Sequence, residues 1–590
     1  MFGAGRRNRT TARRPRLTAA EVTPEVFADE GFNEKRAEAK VNEVRNGAEI
    51  LDQNEAFPDE RPIRDPLWAV LFTILAVVML VVAIYYTTMF ATEPATFSIT
   101  TEDEVAINNA TDFGSNDTTQ PWSVFAFSTT NAWSVPPSTT GAGADAAFVD
   151  DTSPSFASSE YSPARMLEEI GVEDTQDAGM MVGLLLTIAL VAGVVGIAAS
   201  YPFILLAHKY TNTVVHVALL LGPALLIFSG IAMISAGVAG GFFSVLLLFF
   251  GVISIALGIL MLATILCCWG KLIPFTVRVV EMVASVAKQY PAIMIAPVIG
   301  GMLGSCWVLL CFVVFAGTGF QHYESIRNAN KNQRYAGLFG MFLILYWGAQ
   351  VARSLAHVTT CGVYGRWYFG KDKESSKTAL VMASLKVALV NSYGSICLGS
   401  FLVAFVQAAE AVARQMMEDA RKDGNPVLCC VACLVTCVLS CIGDILEYFN
   451  EWAYVQCAIR GLGFFHAAKA TYSLCTLANV TYILDDLLIN YVVLLGSLVC
   501  AAAGALAGAI VGLAWMGGAG AGAGVLIGFV SAFTAGSAAM STFSSGAKTI
   551  LTCWAESPET LRLKTPEEAP GAADLADEFE NGPRRTEDAE

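Results

Sequence analysis

Tyr346, Gln350, Arg353 and His357 recur at steps of three and four residues within the otherwise apolar run Leu345–His357, with Trp347 beside them. At helical spacing these four side chains share one face. An ionisable stripe on a membrane helix is costly, so it must face protein or water rather than lipid. Two kinds of chemistry fit. One is a substrate or proton pathway in which Arg353 and His357 sense charge and protons. The other is interfacial anchoring, with the long side chains reaching past the helix end.

A second polar run, Asn391-Ser392-Tyr393-Gly394-Ser395, is followed by Gly399-Ser400 and ends at Gln407 and Glu410. Hydroxyls and small residues there suit either a bent or interrupted helix beside a central site, or plain close packing. Gly496, Cys500, Gly504, Gly508 and Gly512 lie four apart, and Gly517, Gly518, Gly520, Gly522 and Gly524 follow. That spacing marks close helix packing, with a gating hinge as the sharper alternative. Cys429, Cys430, Cys433, Cys437 and Cys441 form a helical stripe without interleaved histidine. A single helix cannot wrap a tetrahedral metal, so buried free thiols or S-acylation at the membrane edge fit better. The chain has no phosphate-binding Gly-rich loop, nucleophile elbow or zinc-protease helix, and only five histidines. The residues therefore nominate no catalytic set, no metal site and no cofactor, and nothing in them suits nucleic acid.

The elements that position these residues are spans. Leu67–Phe90 carries no charge and is long enough to cross the roughly 30 Å apolar core of a bilayer. Similar runs follow at Met180–Leu206, Val214–Ser235, Phe242–Cys268, Ile293–Ala316, Ala336–His357, Ala379–Gln407, Val427–Ile442, Leu487–Val511 and Ala519–Met540. The prediction is an all-α, polytopic transmembrane bundle of about ten spans. Amphipathic stretches at 271–290 and 448–482 lie between spans. Charged residues make up 15% of the chain, against about 25% in soluble proteins. The net charge of −16 comes from segments outside the bilayer and says little about a ligand.

Residues 1–64 read as a solvated, disordered cytosolic tail with a short helix around Ala37–Leu51, and 65–90 as the first span. Residues 91–177 read as a large acidic extracellular or lumenal loop, 178–555 as the membrane core, and 556–590 as an acidic cytosolic tail. No cleavable leader precedes the first span, which serves as signal anchor. Within the loop, Asn109 and Asn116 stand in glycosylation sequons, while those at Asn8 and Asn479 fall on the cytosolic side. None of the fifteen cysteines precedes Cys267, which excludes a disulfide-framed loop within the chain. The basic N-terminus, Lys209, the group Lys271, Arg278 and Lys288, and the group Arg366 to Lys377 fall on one side and place both termini in the cytosol. Arg327, Lys331 and Arg334, and then Arg414, Arg421 and Lys422, dissent.

Four blocks, in order, resemble the choline transporter-like solute carriers. They are Arg278–Pro297; His357-Val358-Thr359 with Gly362 and Trp367-Tyr368-Phe369; Gly394-Ser395 with Gly399-Ser400 and Val406-Gln407; and Phe449-Asn450-Glu451-Trp452-Ala453-Tyr454 with Gly461, Phe464 and Lys469. The layout of one span, a large loop and the remaining spans matches too. The chain departs from the family's animal members in a first loop without cysteine. The resemblance implies a non-enzymatic plasma-membrane or internal-membrane transporter whose partners are choline or another small organic cation and the surrounding membrane lipid. A channel-like facilitator or a membrane structural protein is the alternative. A quaternary ammonium is best held by aromatic faces, and its hydroxyl by a polar group. By residue type and depth, Trp307, Tyr346, Trp347 and Tyr393 are the cage candidates, with Gln350, Asn391 and Ser395 as polar partners. They place the site between spans five, six, seven and nine, and alternating access would move the glycine-rich spans against the rest.

Overall fold

The computed structural model describes residues 61–92, 175–238, 244–265, 273–322, 329–370, 376–477, 487–562 and 564, with individual positions between 44 and 60. The chain divides into two units, Met1–Thr87 with Met181–Glu590, and Thr88–Met180. Most of the second unit, including Asn109 and Asn116, lies outside the described residues, as do Asn8 and Asn479.

The described elements are helices: α1 (Pro66–Thr92), α2 (Thr175–Lys209), α3 (Thr211–Val238), α4 (Ser244–Thr264), α5 (Ile273–Gln289), α6 (Ile295–Gln321), α7 (Lys331–Tyr368), α8 (Lys377–Lys386), α9 (Tyr393–Lys422), α10 (Pro426–Arg460), α11 (Phe464–Leu477), α12 (Leu487–Glu556) and α13 (Pro558–Arg562). Among the described residues ten spans are long and apolar enough to cross a membrane, and α12 supplies two of them, Leu488–Trp515 and Gly520–Glu556. The chain is an integral membrane protein with the ten-span, all-helical architecture that its hydropathy predicts.

The helices start and stop where local chemistry directs. Asn425 caps α10 by accepting the Leu428 N–H at 3.1 Å, Pro426 occupies the first helical position, and Gly461 ends the helix at φ 66°. Ser376 caps α8 from its side chain. Gly517, at φ 64° and ψ −147°, breaks α12 into two arms. The arms meet glycine to glycine: a Cβ on Gly508 would stand 3.0 Å from the Cα of Gly528. The glycine stripe is thus a packing seam.

Several boundaries differ from the sequence reading. The seventh span starts later than Ala379, because the helix is interrupted at the polar run as one of its two readings expects: α8 runs into a widened turn, Val387–Asn391, and α9 begins only after Ser392. The wide turn shows in the Ser392 N–H reaching back to the Val387 carbonyl at 3.0 Å. The eighth span does not end at Ile442. With 35 residues, α10 is about 52 Å long at about 1.5 Å per residue, and the first part of the expected amphipathic stretch is its continuation. The predicted cytosolic tails are also shorter than drawn. Phe57 is buried, with its N–H on the Ile459 carbonyl at 2.9 Å, and Leu561 is fully buried. The described positions between 44 and 51 are helical, as expected.

Phe57, Pro58 and residues 60–65 form a strap across the end of the bundle. The Arg61 guanidinium donates to the Ala458 and Ile459 carbonyls at 2.8 Å each, a favourable place for a cation at a helix C-terminus. Burial, with Arg366 nearby, lowers the Arg61 pKa to about 10, so it stays charged at neutral pH. Arg460, paired with Glu556 and buried, donates to the Leu51 carbonyl at 2.9 Å. The N-terminal segment and the end of α12 therefore meet at the same end of the bundle. Of the dissenting bases, Lys331 pairs with Asp423 at 2.7 Å, Arg334 with Asp419 at 3.1 Å, and Arg414 with Glu410. Their excess charge is matched locally by acids of α9 and its C-cap, Asp423. The cysteine stripe is not buried: Cys430, Cys433, Cys437 and Cys441 are exposed along α10 and Cys429 is half-buried, because that part of the helix lies on the outer face of the bundle.

Candidate functional site

The polar stripe of α7 lines a cleft against α9 and α10, and the second arm of α12 packs behind it through Ser545 and Lys548. Gln350, Arg353, Ser354 and His357 meet Ser400 and Val403, and Glu447, Asn450, Glu451 and Tyr454 complete the lining. Arg353 pairs with the Glu447 carboxylate and donates to Gln350 Oε1 at 2.7 Å. Gln350 Nε2 donates to Gln407 Oε1 at 3.3 Å, and Gln407 Nε2 donates to Glu447 Oε2 at 3.1 Å. The chain holds Glu447 in one protein-made net.

A second ion pair lies deeper. The Lys548 ammonium binds the Glu451 carboxylate, accompanied by Ser544 Oγ at 3.1 Å, and stands 5.5 Å from the centre of the Tyr448 ring. A carboxylate with an aromatic face is the recognition chemistry of an organic ammonium. His357 is oriented on both ring nitrogens: Nε2 lies 2.9 Å from the Glu451 carbonyl and Nδ1 2.8 Å from Ser545 Oγ. A carbonyl only accepts, so Nε2 carries a proton, while the Ser545 hydroxyl is able either to donate to Nδ1 or to accept from it.

Asn450 is 2% exposed. Its Nδ2 donates to the Gly399 carbonyl at 2.9 Å, which fixes which way the amide points. Its Oδ1 has no hydrogen-bond partner among the described residues. An unmet buried acceptor costs about 1–3 kcal/mol, so this oxygen is a ready seat for a hydroxyl or water. The cavity measures only about 20 Å³, room for about one water. The cavity is too small for an organic cation, yet it keeps access to water, with the Arg353 side chain 51% and that of Glu451 30% exposed.

The other candidates go elsewhere. Trp307, Trp347 and Tyr393 do come together, but around rings of α1: Phe72 lies 5.6 Å from Trp307, 5.1 Å from Trp347 and 6.5 Å from Tyr393. Phe401 packs 5.1 Å from Trp347. The indole N–H groups donate to the Ile344 carbonyl at 3.2 Å and the Cys397 carbonyl at 3.0 Å. The rings satisfy one another and leave no open cage, because α1 inserts Trp68 and Phe72 where the sequence reading placed only spans five, six, seven and nine. Tyr346 stacks on Phe342 at 5.9 Å. Asn391 and Ser395 face the strap: Asn391 Nδ2 donates to the Arg61 carbonyl at 2.6 Å, and Ser395 Oγ donates to Asp65 Oδ2 at 2.6 Å. The cleft thus lies between spans six, seven and eight, with span ten packed against it through Ser545 and Lys548.

Sequence reasoning missed Glu447 and Lys548, and it quoted Asn450, Glu451 and Tyr454 only in the fourth resemblance block without giving them a role in the site. Glu447 and Glu451 stand four apart, one helical step, but ending the eighth span at Ile442 left both outside the bundle. Lys548 lies beyond Met540, where the tenth span was stopped.

Fold and cleft together define a polytopic helical membrane protein with an ion-paired polar site between four spanning helices. A family model described as plasma-membrane choline transporter matches residues 251–559, and the chain belongs to that family. Relatives named Protein PNS1 are 29% identical over 231 residues in Kluyveromyces lactis (37% of this chain, 42% of the relative) and 26% identical over 316 residues in Yarrowia lipolytica (51% and 55%). The one in Saccharomyces cerevisiae is 26% identical over 239 residues (38% and 44%). The chain thus matches about half the length of these relatives.

Proposed function

We propose that this protein is a membrane transporter for choline or a related hydroxylated organic cation, working by alternating access through the α7–α9–α10–α12 cleft. The observation that carries this reading is the pairing, at one site, of a cation seat and an unmet hydroxyl acceptor. Glu451 and Tyr448 hold the Lys548 ammonium, and Asn450 Oδ1 is buried without a donor. An entering quaternary ammonium takes the place of the lysine on the carboxylate and ring, and its hydroxyl donates to Asn450. Lys548 then acts as a resident stand-in cation that closes the empty site. Family membership supports the substrate class.

A fixed charge on the substrate supplies the driving force. An inside-negative potential is worth about 2.3 kcal/mol per charge per 100 mV, roughly 50-fold accumulation. With both termini cytosolic, the strap end of the cleft faces the cytosol, in the plasma membrane or an internal one. The proposal predicts saturable binding of labelled choline to the purified protein, weakened at least tenfold by Glu451→Gln. Asn450→Leu should lower choline affinity while sparing tetramethylammonium, which has no hydroxyl. Equal losses for both cations would remove Asn450 from the site, and undiminished binding in Glu451→Gln would overturn the assignment.

A further inference from the structure

A second cleft, of about 410 Å³, opens at the strap end of the bundle, between the N-terminal segment and the α10–α11 corner. One wall is Asn46, Ile50 and Arg64; the other is Leu462, Gly463, His466 and Lys469. Three of these seven residues are bases. His466 and Lys469 lie three apart near the start of α11, so they project from neighbouring positions on one face. Neither has a hydrogen-bond or ion-pair partner among the described residues. Arg64 is fixed by its own Nε, which donates to the Gly461 carbonyl at 2.9 Å. A guanidinium has further N–H donors beyond that one. The nearby Asp65 carboxylate is already committed, accepting the Ser395 hydroxyl at 2.6 Å and the Phe464 N–H at 3.0 Å.

We infer that this cleft binds a phosphate group, with Arg64 on one wall and His466 and Lys469 on the other. A guanidinium fork, an ammonium and an imidazole supply directional donors and charge for several phosphate oxygens. The cleft is large enough for a phosphorylated headgroup or small ester, unlike the central cavity. Its two walls come from different parts of the chain, so the bound anion bridges them. Arg64 also donates its backbone N–H to the Asn391 carbonyl at 3.0 Å, at the interruption before α9. A phosphate held here therefore staples the strap over the cytosolic ends of α9 and α10.

The source is either a soluble phosphate ester or a phospholipid headgroup from the adjacent leaflet, and the test separates them. The full-length protein and the double variant His466→Gln/Lys469→Gln are compared by thermal unfolding at low salt. One arm adds inorganic pyrophosphate; the other compares nanodiscs of phosphatidylcholine with and without phosphatidylinositol bisphosphate. Both changed side chains are exposed, so the double variant should unfold at the wild-type temperature without ligand. A stabilisation of the wild type by either probe, reduced at least tenfold in apparent affinity by the double change, is the expected result, and the effective probe names the source. No stabilisation by either probe, or equal stabilisation of both proteins, overturns the inference. The readout does not involve choline, so its outcome is separate from that of the transport proposal.

Discussion

Lys548→Met removes the resident cation and keeps the length of the side chain. The Lys548 side chain is 3% exposed and that of Glu451 30%. Breaking a fully buried pair costs about 3–5 kcal/mol because one charge is left uncompensated. Glu451 retains some access to water, so about 2–3 kcal/mol of destabilisation is expected, at or below the lower end of that range. Lys548→Met with Glu451→Gln removes both charges and should recover most of the loss, a coupling of about 2 kcal/mol. The assay is a four-protein thermal stability series in detergent, with and without choline. Saturating choline, at 100 times its dissociation constant, stabilises by about 2.7 kcal/mol. In Lys548→Met the substrate meets an unoccupied carboxylate and displaces nothing, so choline should bind more tightly there than in the wild type and rescue stability preferentially. An additive double variant would refute the ion-pair reasoning. Weaker choline binding in Lys548→Met would refute the displacement reasoning.

Trp347→Ala should cost about 3–5 kcal/mol of stability, since Trp347 is 7% exposed within the ring cluster. It should lower the yield of folded protein while surviving molecules keep their choline affinity; a selective affinity loss would put the aromatic cluster back in the binding site. Gly508→Ala should abolish folded protein, because its Cβ would press on the backbone of the facing arm, whereas Gly518→Ala, with nothing within 4 Å, should fold normally. Folding yield by size-exclusion chromatography distinguishes the two.

The bundle was legible because long apolar runs have one solution in a bilayer: a hydrogen-bonded helix. The ionisable stripe on α7 was legible for the same reason, since Gln350, Arg353 and His357 could not face lipid, and all three line the cleft. What hydropathy could not read was the continuation of spans past their apolar windows. Glu447, Asn450 and Glu451 lie in the extension of α10, and Lys548 in the extension of α12. Charges there lower the local hydropathy, yet pairing lets them stay inside. The packing of the aromatic set was not legible because ring type and depth do not reveal partners. Phe72 and Trp68 fill the space among the rings, a contact between α1 and distant spans that carries no local periodicity. The strap was hidden because a polar segment held by backbone carbonyls resembles a solvated tail in composition.

The central claim is that Glu451 and its neighbours pass an organic cation across the membrane. The most direct test is labelled choline uptake into liposomes containing the purified protein under an imposed inside-negative potential. Saturable uptake that collapses with the potential, is competed by unlabelled choline and is lost in Glu451→Gln is the predicted result. Uptake unchanged in folded Glu451→Gln would contradict the site, and absence of uptake by folded wild-type protein would contradict choline transport itself.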